Sequence, residues 1–138
     1  MENHKELSDF EFEQQFEKCS LDPNLFTHEA HLRLAWIHIN KYGIDKAIEN
    51  VNIQLINFVD ILGAKDKYNK TLTIAALKAV NHFICKSKSE NFNDFILEFP
   101  RLRNNFKELM SLHYSIDVFN SKQAKAEYLE PDLLFFTQ

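Results

Sequence analysis

The stretch that decides the fold is Ile44–Gly63, which reads IDKAIENVNIQLINFVDILG. Six of its apolar residues recur at alternating spacings of four and three, and they are Ile44, Ile48, Val51, Leu55, Phe58 and Leu62. Because an α-helix has about 3.6 residues per turn, this spacing places them along one side of a helix, and a glycine is typical of a helix end. The stretch predicts a helix that begins near Asp45, ends at Gly63 and buries one face.

The sequence on the amino-terminal side predicts two more helices. Ser8 and Glu11 have the spacing of a capping box, in which each residue satisfies a backbone N–H group of the first helical turn. Thr27 has the side chain of a helix N-cap, and the stretch from His28 to about Lys41 follows it until Gly43 interrupts the pattern. Both segments therefore favour helices that are connected by short turns.

The sequence on the carboxyl-terminal side continues in the same way. Thr71 suits the N-cap of a fourth helix, and residues 92–97 predict a short one. Pro100 suits the first turn of another helix, and one or two short helices are expected near residues 116–127. With only 2 Gly and 3 Pro in 138 residues, we expect one compact all-α domain over residues 1–138, a bundle of six to seven helices.

Composition and charge restrict the partners and the compartment. The net charge of −4 and the lack of a basic cluster argue against nucleic-acid binding. No apolar run approaches the roughly 20 residues of a membrane span, and the first residues carry no signal-like apolar core. Cys19 and Cys85 are too few for a disulfide framework. We therefore expect a cytoplasmic protein with neither a nucleic-acid nor a membrane partner.

The helix predicted from His28 carries the most informative chemistry. At about 100° per residue, His28, His31 and His38 share one face. Imidazole titrates near neutral pH and is a common ligand of transition metals, so His28 and His31 are candidate acid/base groups or ligands of a divalent metal ion. An inward-facing histidine is more often a hydrogen-bonded core residue, and His38 is expected to be structural. The His-Glu-Ala-His order lacks the spacing of a zinc peptidase, so we reject that function.

Two later segments supply further candidates. Tyr68 could present its phenol at a pocket mouth, and the inward hydroxyl of Thr73 needs either a carbonyl one turn back or a polar site. His113 and Asp132 could complete a metal site or orient an imidazole. Ordinary roles as caps and chain breaks account for several of the same residues. By contrast, His82 is expected in solvent and His4 at a frayed end.

These segments together resemble a family of small uncharacterised bacterial proteins marked by Phe-x-His-x-x-His-Leu-Arg-x-Ala-Trp, here Phe26–Trp36. The family's Lys-Tyr-His-x-Thr-x-Thr, His-Tyr-Ser and Glu-Pro-Asp-Leu motifs are also similar to segments of this chain. They match Lys67–Thr73, His113–Ser115 and Glu130–Leu133, except that Asn69 replaces the family's second-motif histidine. The resemblance implies one pocket formed by the polar positions, and no activity is carried over from it. On this basis we expect substrate contacts from Arg33, Trp36, Thr71, Thr73, Tyr114 and Asp132.

Two functions follow as hypotheses. The first is a small enzyme that acts on a small molecule, with His28, His31, His113 and Tyr68 as its catalytic residues. The second is a non-enzymatic ligand-binding or protein-interaction module. An apolar carboxyl-terminal stretch, residues 133–136, should dock on the body of the protein or on a partner, and it could join two copies of the chain.

Overall fold

The structure is a computed structural model that describes residues 3–136. The described part of the chain forms eight α-helices and three short 3-10 turns and contains no β-strand, which confirms the all-α class. The α-helices are α1 (Asp9–Glu17), α2 (His28–Tyr42), α3 (Ile44–Ile61), α4 (Lys70–Ile84), α5 (Phe92–Glu98), α6 (Arg101–Asn104), α7 (Phe106–Ser111) and α8 (Lys122–Ala126). The 3-10 turns are His4–Glu6, Pro23–Leu25 and Lys65–Lys67.

The helix that was expected after Pro100 is two helices. Asn105 lies between α6 and α7 with φ −134° and ψ 36°, outside the helical region. Asparagine has a low helix propensity because its side chain competes for backbone hydrogen bonds, and two asparagines meet at this point. The interruption accounts for an eighth helix where six or seven were predicted.

The described chain divides into two compact units, which we describe separately. The first unit includes the described residues up to Tyr68, and the second includes those from Asn69. A single domain over residues 1–138 stays a prediction. Across residues 3–136, the helices are each too short or too polar to cross a membrane.

In the first unit, α2 and α3 form the most extensive helix pair. Gly43 joins them with φ 86°, a backbone conformation that residues with a Cβ atom rarely adopt. Aromatic rings of α1 and α3 meet in the core, where the ring of Phe16 lies 5.0 Å from that of Phe58 and 4.9 Å from that of Phe26. The capping box of Ser8 and Glu11 begins α1 as predicted.

The apolar side of the Ile44–Gly63 stretch is buried in its middle. Val51, Leu55 and Phe58 are each no more than 6% exposed. Leu62, however, is 45% exposed, and it follows the end of the helix at Ile61. The buried face of this stretch therefore ends before Leu62.

In the second unit, α4 packs on α8, and the start of α4 differs from the prediction. Asn69, rather than Thr71, is the N-cap: its side-chain oxygen accepts a hydrogen bond from the Leu72 N–H group at 3.0 Å. Asparagine is an equally good cap, so the sequence offered two candidates. This leaves the Thr71 hydroxyl available for a contact elsewhere.

Candidate functional site

The histidine pair that the sequence selected begins α2 in the first unit. His31 stacks on Phe26, with ring centroids 3.8 Å apart and planes inclined by 22°. His28 and His31 both have solvent-exposed surface. Within residues 3–136, no group of three or more His, Cys, Asp or Glu side chains is arranged to hold a metal ion. A metal held by His28 and His31 stays a prediction.

The surroundings of His31 favour its neutral form. Displacement of water by neighbouring protein atoms lowers its pKa to about 4, and charge on His28 acts in the same direction. The accessible surface of the ring opposes this, because an imidazole that reaches solvent keeps part of its hydration. With its pKa lowered from the ordinary 6.5, His31 is neutral at neutral pH.

Arg33, an expected substrate contact, is tied into the first unit. Its guanidinium donates to Asp9 Oδ1 at 2.8 and 3.1 Å, to the carbonyl of His4 at 2.5 Å and to the carbonyl of Leu7 at 2.8 Å. The group also lies 5.0 Å from the ring centroid of Phe12. These bonds hold the amino-terminal segment on α2.

His4 belongs to the same network, so the expectation of a frayed end is wrong. The residue is 2% exposed, and its Nε2 lies 2.9 Å from Glu29 Oε1. Its Nδ1 lies 3.3 Å from Arg33 Nη1. Burial is the largest influence on the pKa of His4 and lowers it, while the hydrogen bond to Glu29 acts in the opposite direction. Local sequence patterns could not indicate this contact, because the partners are 25 and 29 residues away.

His38 is enclosed in the first unit without polar partners. It is 0% exposed, and neither ring nitrogen has a hydrogen-bond partner within the described part of the chain. Its ring lies 5.4 Å from that of Tyr42. Burial is the main cause of its lowered pKa, so the ring is neutral and packs as an aromatic group. The structural role expected for His38 agrees with this environment.

The remaining first-unit candidates are Trp36 and Tyr68. The backbone carbonyl of Trp36 accepts a hydrogen bond from Asn40 within α2, and the residue is half-buried. The hydroxyl of Tyr68 donates to Asn52 Oδ1 in α3. Burial raises the pKa of Tyr68 to about 12, so the phenol keeps its proton at neutral pH. The described contacts thus give Tyr68 a bond within its own unit.

In the second unit, both threonines of the Lys67–Thr73 motif have internal partners. Thr71 is 0% exposed; its hydroxyl donates to the Glu127 carbonyl at 2.7 Å and accepts from the Leu129 N–H group at 3.0 Å. The Thr73 hydroxyl donates to the Asn69 carbonyl at 2.8 Å, one helical turn back. Of the two alternatives expected for Thr73, a carbonyl one turn back or a polar site, the structure therefore has the carbonyl.

Asn69, which replaces the histidine of the resembling family, also has two defined bonds. Besides capping α4, its amide nitrogen donates to the Val118 carbonyl at 2.8 Å, and the residue is 8% exposed. A ring cannot accept at the cap and donate to this carbonyl with the same geometry as an amide. The asparagine therefore has a structural role of its own in this chain.

The two carboxyl-terminal motifs meet in the second unit. The Ser115 N–H group donates to Asp132 Oδ1 at 2.9 Å, and the Ser115 hydroxyl donates to Asp132 Oδ2. These bonds lower the pKa of Asp132. The Tyr114 hydroxyl donates to the Leu129 carbonyl at 2.8 Å, and burial is the main cause of its raised pKa. Asp132 thus orients the chain next to His113 by holding Ser115.

His113 attaches the carboxyl-terminal stretch to the second unit. Its carbonyl accepts from the Leu133 N–H group at 3.0 Å, and its Nδ1 lies 2.6 Å from the Leu134 carbonyl. Its ring stacks on Phe136 with centroids 3.9 Å apart. Phe136 is 9% exposed, whereas Leu133, Leu134 and Phe135 are 59%, 57% and 66% exposed. The expected docking of this stretch therefore holds for its backbone and Phe136, and three apolar side chains stay in solvent.

A pocket of about 370 Å³ lies beside this attachment, and we call it the histidine pocket. Its size falls within the range of small-molecule sites, and two imidazoles and two permanent cations are part of its wall. The lining residues are Ala79, His82, Phe83, Lys86, Arg101, Leu109, Leu112, His113, Leu134, Phe135 and Phe136.

His82 is in the wall of this pocket, so the expectation that it is solvated is wrong. The residue is half-buried, and its Nδ1 is shut off from solvent without a hydrogen-bond partner. Burial lowers its pKa, with Lys86 and His113 acting in the same direction and the Phe136 backbone opposing them. A neutral imidazole with one unsatisfied buried nitrogen is therefore part of the wall of the histidine pocket.

Comparisons of the chain with protein-family models, with curated proteins and with solved structures found no match. The resemblance described above therefore depends on its motifs and stays a prediction. Among the candidates from the sequence, the second unit brings together His113, Tyr114 and Asp132 near the carboxyl-terminal stretch. The sequence missed His82, Lys86 and Arg101, which lie on two helices and a turn with no shared motif.

Proposed function

We propose that the protein binds a small molecule in the histidine pocket and that His82 and His113 exchange protons with it. The single observation behind this proposal is that both imidazoles line the same pocket of about 370 Å³. Cavities of this size are usual for small ligands, and paired titratable groups in a cavity are typical of functional sites.

The hydrogen bond of His113 supports a role in proton transfer. A carbonyl can only accept, so Nδ1 of His113 carries the proton in its bond to Leu134. In the neutral ring, Nε2 is then the basic nitrogen. A backbone carbonyl that fixes the tautomer is a common way to prepare a histidine as a general base.

The second imidazole complements the first. The lowered pKa of His82 keeps it neutral at pH 7, and its Nδ1 has no partner within the described residues. The neutral ring of His82 would hold the ligand by a hydrogen bond while Nε2 of His113 accepts a proton.

The test is an NMR titration of protein labelled at the histidine side chains with a small set of one-ring carboxylates, amides, alcohols and amines. We expect saturable changes in the imidazole signals of His82 and His113. His82→Gln and His113→Gln should each weaken binding at least about tenfold, the loss of a well-formed hydrogen bond.

The control is Leu97→Ala, which removes a 75% exposed side chain of α5 outside the pocket wall and should leave binding unchanged. Saturable changes at His28 and His31 instead would support the site predicted from the sequence and contradict the histidine pocket. Absence of saturable binding by every compound would also contradict it.

A second candidate, a protein-interaction module, is favoured by the exposed side chains of Leu133, Leu134 and Phe135. Adjacent apolar side chains in solvent are typical of interaction surfaces. If they join two copies of the chain, sedimentation velocity should show a concentration-dependent dimer that Leu133→Ser/Phe135→Ser converts to monomer. A monomeric wild-type protein at all concentrations would argue against this self-association.

A further inference from the structure

We infer that the ligand of the histidine pocket is an organic anion, namely a carboxylate attached to an aromatic or aliphatic group. This inference rests on the proposed function and names its ligand class. It follows from the distribution of charge and apolar surface in the pocket wall.

The charges in the wall have one sign. Lys86 and Arg101 are its two permanently charged residues, and no Asp or Glu is among the lining residues. The chain as a whole has the opposite balance, with a net charge of −4. A region of positive potential in an acidic protein attracts anions and repels cations. The pocket therefore selects an anion although the whole protein does not.

The apolar wall restricts the anion further. Seven of the lining residues are apolar, and they are Ala79, Phe83, Leu109, Leu112, Leu134, Phe135 and Phe136. Binding against such a wall removes water from the ligand, which is favourable for hydrocarbon and costly for charge. A single carboxylate can pair with Lys86 or Arg101 while the rest of the ligand covers the apolar side chains.

The two cations are available for such a contact. Lys86 and Arg101 are both exposed, and neither has a carboxylate partner within the described part of the chain. Arginine binds a carboxylate through two parallel hydrogen bonds, and charge-assisted bonds are roughly twice as strong as neutral ones. This leaves both side chains free to turn toward a bound anion.

The experiment compares two probes of nearly equal shape, 3-phenylpropionate and its neutral amide, 3-phenylpropanamide, by calorimetry at low ionic strength. We expect the carboxylate to bind about tenfold more tightly than the amide. The Lys86→Met/Arg101→Met variant should bind both probes with the affinity that the wild-type protein has for the amide.

The chain offers a charge-matched control. Lys88 and Arg103 are exposed, each lies two residues from its pocket counterpart, and neither lines the pocket. Lys88→Met/Arg103→Met removes the same two charges and should keep the preference for the carboxylate. Loss of the preference in this control would show a long-range effect and overturn the assignment to the pocket.

The remaining outcomes separate the two proposals. Equal binding of both probes to the wild-type protein overturns the anion inference and leaves the proposed function standing. A preference that persists in Lys86→Met/Arg101→Met also overturns the inference. If neither probe binds, the inference is overturned, and the wider compound set of the histidine titration then decides the proposed function separately.

Discussion

Arg33 of the first unit and Arg101 of the second have opposite surroundings. Arg33 is 7% exposed, and its donors bond to Asp9 and to two backbone carbonyls. Arg101 is exposed and lines the histidine pocket. A guanidinium whose donors are used within the protein stabilises the fold, whereas one that lines a cavity can bind a ligand. The comparison separates structural from binding side chains in a way that residue type does not.

The histidines divide in a similar way. In the first unit, His4 bonds to Glu29, and His38 is enclosed with no polar partner. In the second unit, His82 and His113 line a pocket, and a backbone carbonyl fixes the tautomer of His113. The imidazoles of the first unit that are fully buried are thus part of its core, while those of the second have room for a ligand.

The largest expected effect tests the two arginines directly. Arg33→Met should lower the free energy of unfolding by about 3 kcal/mol, because it removes a buried charge and leaves two carbonyls and Asp9 without their donor. Urea denaturation followed by circular dichroism measures the change. Arg101→Met should change it by about 0.5 kcal/mol or less. Equal losses in the two variants would contradict the distinction between the arginines.

A smaller effect is expected within the second unit, where some polar groups are structural. Thr71→Val should lower the free energy of unfolding by about 2 kcal/mol, since it leaves the Glu127 carbonyl and the Leu129 N–H group unpaired. Thr73→Val should lower it by less than about 1 kcal/mol, because the Asn69 carbonyl still accepts a hydrogen bond from the Thr73 N–H group. Thermal unfolding of both variants gives the comparison, and a larger loss for Thr73→Val would reverse it.

The smallest effect concerns the pH dependence of His38. Its pKa lies below the ordinary 6.5 in the folded protein, so the unfolded chain takes up a proton first as the pH falls. The contribution of the neutral His38 to stability is therefore complete above pH 6.5, and it is lost as the pH falls below that value. Relative to His38→Leu, the wild type should lose about 1 kcal/mol more between about pH 7.5 and 5.5.

The reference point for this variant is neutral pH. At neutral pH, the free energy of unfolding of His38→Leu should be at most about 1 kcal/mol below that of the wild type, because neither ring nitrogen has a hydrogen-bond partner to lose. Parallel pH profiles for the two proteins would show that His38 does not titrate differently on unfolding.

Local sequence patterns were sufficient for much of the secondary structure. The capping box of Ser8 and Glu11, the Thr27 cap and the Gly43 helix end all lie where they were predicted. These features depend on neighbours within one or two turns, so the sequence contains both partners. The cap of α4 was misassigned because Asn69 and Thr71 are both good caps, and their different distant contacts decided between them.

The candidate site was less predictable for the same reason. His113 was selected because it belongs to a motif, whereas His82, Lys86 and Arg101 carry no motif and are contributed by separate segments. Arg33 has a motif position and yet bonds to the amino-terminal segment, 24 to 29 residues away. The side chains that meet in a pocket are set by long-range packing, and spacing along one helix cannot reveal them.

The sequence by itself determined the all-α class and the main helices, because helical periodicity and caps are local properties of the chain. Only the tertiary structure decided which polar residues are enclosed. In the first unit His4 and Arg33 are bonded to each other, and in the second unit His82 and His113 line one pocket. The physical reason is that burial, partner and pKa depend on atoms that are distant in sequence, so identical residue types acquire different roles.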